Sequence, residues 1–125
     1  SDRDVQERLA AVISMGEIRD KSSEDYLISL LDDEEPNIRW DSAVALIKMN
    51  NTSGVNILEK LLDRSYYSNY SNINEIEINN SILTILALVS QYPNVEFEDE
   101  LELLAMNEKN VKIKEFSMKI LSEHY

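Results

Sequence analysis

Apolar residues recur along this chain at steps of three and four, and one buried register returns four times. In the stretch from Pro36 to Ile47, Ile38 is followed at offsets four, five, seven and eight by Ser42, Ala43, Ala45 and Leu46. The same offsets from Val5 reach Leu9, Ala10, Val12 and Ile13; from Ile78 they reach Ile82, Leu83, Ile85 and Leu86; from Ile113 they reach Ser117, Met118, Ile120 and Leu121. A period near 3.6 residues places each set on one side of a helix. The registers start at residues 5, 38, 78 and 113, spacings of 33, 40 and 35, which are the periods of helical-repeat architectures.

Local signals mark the borders. A first helix is expected from about Asp4 to Gly16, with Asp2 or Asp4 as cap and Gly16 as terminator. Lys21-Ser22-Ser23 offers a serine cap for a helix carrying Tyr26, Leu27, Leu30 and Leu31, which the acids from Asp32 to Glu35 end. Pro36 then sits just ahead of a helix that Asn37 can cap. Further helices are expected from Val55 to Arg64, Glu75 to Gln91, Phe97 to Met106 and Val111 to about Ser122. Tyr92-Pro93-Asn94 would stop the fifth, because the residue before a proline is pushed out of helical geometry. The alternation from Ile73 to Ile78 imitates a strand, but Ile82, Ile85 and Leu86 continue it with helical period, so it reads as a helix entrance. The prediction is an all-α fold: a right-handed α–α superhelix, a short solenoid of about seven helices in antiparallel hairpins. Its repeat units would run roughly over 1–20, 21–50, 51–92 and 93–125 of a single domain, with 65–74 as an inserted loop.

These residues resemble the HEAT repeats, and more closely the short HEAT-like repeats of phycobilisome lyases. The likeness is carried by Leu30-Leu31-Asp32-Asp33, then Asn37-Ile38-Arg39, then Ala43, Ala45 and Leu46. The first unit has Gln6 in place of the arginine, the third Asn79 and the fourth Lys114. The resemblance implies that Arg39 points along the stack to an acid or carbonyl at a neighbouring hairpin junction, with Asp32 or Asp33 as acceptor. It leaves the role open, because scaffolds, assembly factors and enzymes share this architecture.

Composition narrows the chemistry. The chain has 125 residues, 24 acidic against 12 basic, and a net charge of −12, a field that repels a phosphate backbone and argues against nucleic acid as partner. With no cysteine and one histidine, His124, neither a zinc site nor a histidine-based triad can be assembled. The acid runs 32–35 and 96–102 lack the central glycine and alternating ligands of a calcium loop. No phosphate-cradling glycine loop occurs, carboxylate pairs are plentiful but nothing places two of them in one pocket, and no apolar run suits a membrane. No enzymatic activity, cofactor or metal is therefore expected, and a cytoplasmic location is the default. The first helix has no preceding partner, so this end reads either as a natural cap or as the cut edge of a longer array.

Positions opposite the buried register are the candidate binding surface. They are Trp40, Asp41, Val44 and Ile47 in the second unit, with Arg8 in the first, Asn80 and Thr84 in the third, and Glu115, Phe116 and Lys119 in the fourth. In a solenoid they would line the concave side, where Trp40 could anchor a protein or a basic peptide, or could simply pack over its own turn. Tyr66, Tyr67 and Tyr70 in the insertion have the composition of a binding loop, and equally that of a drifting one. Assistance to an enzyme or to a chromophore-attachment step is the alternative role the resemblance suggests.

Overall fold

A computed structural model describes residues 2–92 and 95–125. Seven α-helices occur among them: α1 (Asp2–Ile18), α2 (Glu24–Ser29), α3 (Pro36–Lys48), α4 (Val55–Leu61), α5 (Glu75–Gln91), α6 (Glu98–Asn107) and α7 (Val111–His124). Short 3₁₀ segments at Lys21–Ser23, Leu30–Asp32, Thr52–Gly54 and Arg64–Asn69 complete an all-α chain with no strand among the described residues. Two compact units, Ser1–Leu58 and Glu59–Tyr125, divide the chain within α4. The expected side-chain cap at Asp2 and the stop at Pro93 and Asn94 lie outside the described residues.

In the first unit α1, α2 and the 3₁₀ turns at Leu30–Asp32 and Thr52–Gly54 all pack on α3. Val12, Leu27, Leu30, Ile38, Ala45, Leu46 and Met49 form the buried cluster, with Val5, Leu9, Met15 and Leu31 against it. The repeat register therefore does specify this core, although Ala10 and Ile13, at the edge of the α1 stripe, are exposed. Several expected borders move by a few residues for identifiable reasons. Helix α1 runs past Gly16 to Ile18 and ends with Arg19 in the left-handed region at φ 58°. Gly16 is instead a point of close approach, where an added Cβ would lie 3.0 Å from the Cβ of Ala45. Asp20, not a serine, caps the turn before α2 by accepting from the Ser22 backbone N–H at 3.0 Å. Pro36 is the first residue of α3, with Glu35 ahead of it making no side-chain cap, so Asn37 is already inside the helix.

The far end of α3 closes with Asn50 at φ 61°: its N–H donates to the Ile47 carbonyl at 2.9 Å and that of Asn51 to the Leu46 carbonyl at 2.9 Å. That pair of bonds is the Schellman arrangement, with asparagine in the place usually held by glycine. Arg39 donates through Nη1 to the Asp33 carbonyl at 2.8 Å and to the Glu34 carbonyl at 3.3 Å, so it braces the turn ahead of its own helix. The Asp33 carboxylate is taken by Arg8 at 3.3 Å and by the Glu35 N–H at 3.0 Å.

In the second unit α7 packs on α5 and α6. Ile82, Ile85, Leu86, Leu88, Val89, Phe97, Leu101, Leu104, Ile113 and Ile120 are buried. A capping box between Asn74 and Glu77 opens α5, which confirms the strand-like stretch as a helix entrance. Asn110 caps α7 by accepting from the Ile113 N–H at 3.1 Å. Met118, expected on the buried side, is exposed on α7.

The repeat register carries a test of its own. Ser42 and Ser117 occupy equivalent positions and both are fully buried. The Ser117 hydroxyl donates to the Ile113 carbonyl at 2.8 Å, whereas the Ser42 hydroxyl has no hydrogen-bond partner. A buried hydroxyl without a partner costs about 1–3 kcal/mol, so Ser42→Ala is expected to raise stability by about 1 kcal/mol, while Ser117→Ala leaves it level or slightly lower. Urea denaturation of the two variants measures the difference, and a loss of stability for Ser42→Ala would contradict the assignment.

Candidate functional site

The face predicted around Trp40 is less open than its sequence suggests. Trp40, Asp41 and Val44 are half-buried, and Ile47 is 3% exposed. Ile47 is thus a buried residue and not an outward one. The reason is the number of neighbours on α3: with Ala45, Leu46 and Ile47 all buried at 100° per residue, the covered arc is far wider than a single hairpin stripe. Arg8 is committed to Asp33, as described. In the second unit Asn80 and Thr84 on α5, and Glu115 and Lys119 on α7, are exposed, while Phe116 is half-buried.

Burial raises the Asp41 carboxyl above the usual carboxylate range, with the charge of Lys48 partly opposing it. Because the folded value exceeds the unfolded one, this group favours the folded state below the ordinary carboxylate pKa, and that contribution is lost as pH rises through the folded value. Asp41→Asn is therefore expected to raise the melting temperature by a few degrees near neutral pH and to lose that advantage in acid. Thermal melts of both proteins across the acid range check the sign.

The tyrosine insertion is ordered structure. Asp63 caps it by accepting from the Ser65 N–H at 3.0 Å, and residues 64–69 form a 3₁₀ helix. Tyr66 packs edge-on to Tyr67 and Tyr70, with ring centroids 5.9 and 5.5 Å apart, and its hydroxyl lies 3.1 Å from that of Tyr70. Tyr67 is 1% exposed. Its hydroxyl donates to the Leu61 carbonyl at 2.6 Å and lies 2.8 Å from the Ser81 hydroxyl, and burial raises its pKa. Tyr67 is therefore an anchor of the second unit and not a loop contact, because a buried phenol with both hydrogen-bonding capacities used cannot swing out cheaply.

What the sequence did not foretell is a groove in the second unit, about 530 Å³ in volume, between residues 59–64 and α6. Leu62, Leu103 and Leu104 give it an apolar floor, and Leu103 is 60% exposed. Glu59, Lys60, Asp63 and Glu100 stand along it. Arg64 also lines it, and its guanidinium donates to Glu108 through Nη2 at 2.5 Å and through Nε at 3.1 and 3.3 Å, and to the Asn79 side-chain oxygen at 2.6 Å. Burial, with help from the negative charges of Glu59 and Asp99 and contact with the Glu59 carboxyl, holds Glu100 above the ordinary carboxylate range against a lowering backbone hydrogen bond. Glu59 and Glu100 are 41 residues apart in the chain, so no spacing pattern could pair them. The available signal was weaker: Leu103 lies across α6 from Leu101 and off the buried stripe, an apolar residue that the core does not claim.

The groove is lined by α4 and α6, each the first helix of its hairpin, whereas the sequence argument had placed binding on the second helices. Its lining includes no histidine, and among the described residues no group of three or more acids, histidines or cysteines could hold a metal ion. No helix among those residues is long and apolar enough to cross a membrane.

Helical hairpins with a repeated buried register define a helical-repeat protein. The match to the family model described as HEAT repeats covers residues 1–70, and the chain belongs to that family. No curated protein and no solved structure matches it. HEAT repeats generally mediate protein–protein interaction or scaffolding and are generally non-enzymatic.

Proposed function

We propose that this chain is a non-enzymatic interaction module that takes up a segment of a partner protein in the groove formed by residues 59–64 and α6. The observation that carries the reading is Leu103: a large apolar side chain left mostly exposed beside Leu62 and Leu104, in a concavity rimmed with charge. Apolar floors with polar rims are what protein-binding clefts offer, since the floor supplies affinity and the rim supplies orientation. The half-buried Trp40 face is the weaker candidate, because Ile47 is withdrawn from it and Asp41 is largely covered.

Selection of random displayed peptides against the chain tests the proposal. Selected peptides are expected to shift the backbone amides of residues 59–64 and 98–108 in two-dimensional NMR. Leu103→Asp should weaken them about tenfold or more, the effect of losing one well-placed apolar contact, while leaving the melting temperature nearly unchanged. Peptides that shift only residues outside this groove would refute the assignment.

A further inference from the structure

Three partly covered carboxylates in this molecule are matched by a cation. Asp33 has Arg8 at 3.3 Å, Glu24 has Lys21 at 3.2 Å and Glu108 has Arg64 at 2.5 Å. Glu59 and Glu100 are brought together in the groove without one: among the described residues no basic side chain lies within salt-bridge distance of either. Lys60 stands on the same rim but makes no ion pair with them, and the charge of Arg64 is already used by Glu108 and Asn79. Four carboxylates line the groove, those of Glu59, Asp63, Glu100 and Glu108, against the two cations Lys60 and Arg64.

We infer that the partner segment places a lysine or arginine between Glu59 and Glu100 while laying an apolar side chain on Leu103. This rests on the groove being the binding site, as proposed above. Two carboxylates held side by side repel one another, and a cation set between them turns that repulsion into two attractions. Burial first, and then the negative charges of Glu59 and Asp99, raise the proton affinity of Glu100, and a cation set beside it would favour its charged form. An acidic or phosphorylated segment would meet the wrong sign. The methylene stem of a lysine or arginine adds apolar cover beside the side chain laid on Leu103 while its ammonium or guanidinium reaches the carboxylates.

The experiment titrates the isotope-labelled chain with a helical leucine–lysine peptide and with a leucine–glutamine peptide of the same pattern. The lysine peptide is expected to shift amides at 59–64 and 98–108, and the glutamine peptide to bind there much more weakly. Glu59→Gln with Glu100→Gln should weaken the lysine peptide roughly tenfold, the effect of two partly exposed ion pairs. The same charge removed in the first unit, Asp32→Asn with Glu34→Gln, should change little. Both replacements at the groove keep side-chain shape and relieve repulsion, so the melting temperature is expected to hold or rise, which separates lost binding from lost folding. Equal weakening by the two double variants would mean attraction to net charge alone and would overturn the inference. Equal binding of both peptides in the groove would overturn it while leaving the groove reading intact, and no shift in the groove from either peptide would remove both.

Discussion

Arg64→Ala is expected to destabilise the second unit by about 3 kcal/mol, the scale seen when one partner of a buried ion pair is removed. Glu108 is only 6% exposed at its side chain and takes two guanidinium nitrogens of Arg64. Without them its charge would be left covered, with little besides the Asn110 N–H at 3.4 Å for company. The same guanidinium holds Asn79 on α5, so one side chain ties the turn after α4 to α5 and to the end of α6. Arg64→Lys is expected to recover only part of the loss, because a single ammonium cannot reproduce the planar fork across two partners. Arg64→Met combined with Glu108→Leu should recover most of it by removing the charge pair altogether. Urea denaturation followed by circular dichroism measures all three, and a loss below about 1 kcal/mol for Arg64→Ala would place the pair among ordinary surface bridges.

Gly54→Ala is expected to be comparably damaging, about 3 kcal/mol, at the upper end of what overpacking usually costs. A Cβ at this position would lie 2.7 Å from both the Cα and the Cβ of Ala43, and the Cα cannot move without α3. Gly54 has no positive φ, so its conformational freedom is not the issue; the turn needs the missing side chain in order to reach α3. Gly16→Ala is the control. Its Cβ would stand 3.0 Å from the Ala45 Cβ and 3.1 Å from the Ala45 Cα, a milder conflict. Alanine in place of glycine inside α1 also returns up to about 1 kcal/mol of helix propensity, so the net effect should be small. Thermal melts of the two variants are expected to differ by more than either experimental error, with Gly54→Ala far lower.

These two glycines show where reading the chain stopped short. Gly16 looked like punctuation, since a glycine after an apolar stripe is a sound prediction of a helix end. Each is in fact a contact surface for α3, Gly16 for Ala45 and Gly54 for Ala43, which also gives the small residues of the repeat register a reason: backbone must approach on both flanks. The arginine of the pattern was expected to reach an acid or carbonyl at a neighbouring hairpin junction; it donates to the Asp33 carbonyl in the turn ahead of its own helix, and the carboxylate of Asp33 is held by Arg8, which had been assigned to a binding face. Tyr67 illustrates the same limit in the insertion. Composition cannot distinguish a tyrosine that greets a partner from one that anchors its own segment, because the distinction lies in the Leu61 carbonyl and the Ser81 hydroxyl that happen to stand in reach.

The order of apolar and polar residues was enough to predict the seven α-helices found among the described residues, their repeat register and most of the buried positions. Those features depend on a period of 3.6 and on neighbours close in sequence, and such information is written along the chain. Which side of each helix stays open was settled by folding. Ile47 went inside and Leu103 stayed out because burial depends on how many elements gather on a helix, and α3 receives several. The groove belongs to that second category as well: Glu59, Arg64, Glu100 and Glu108 acquire their joint chemistry from packing between segments distant in the chain, where distances in space decide which charges are matched.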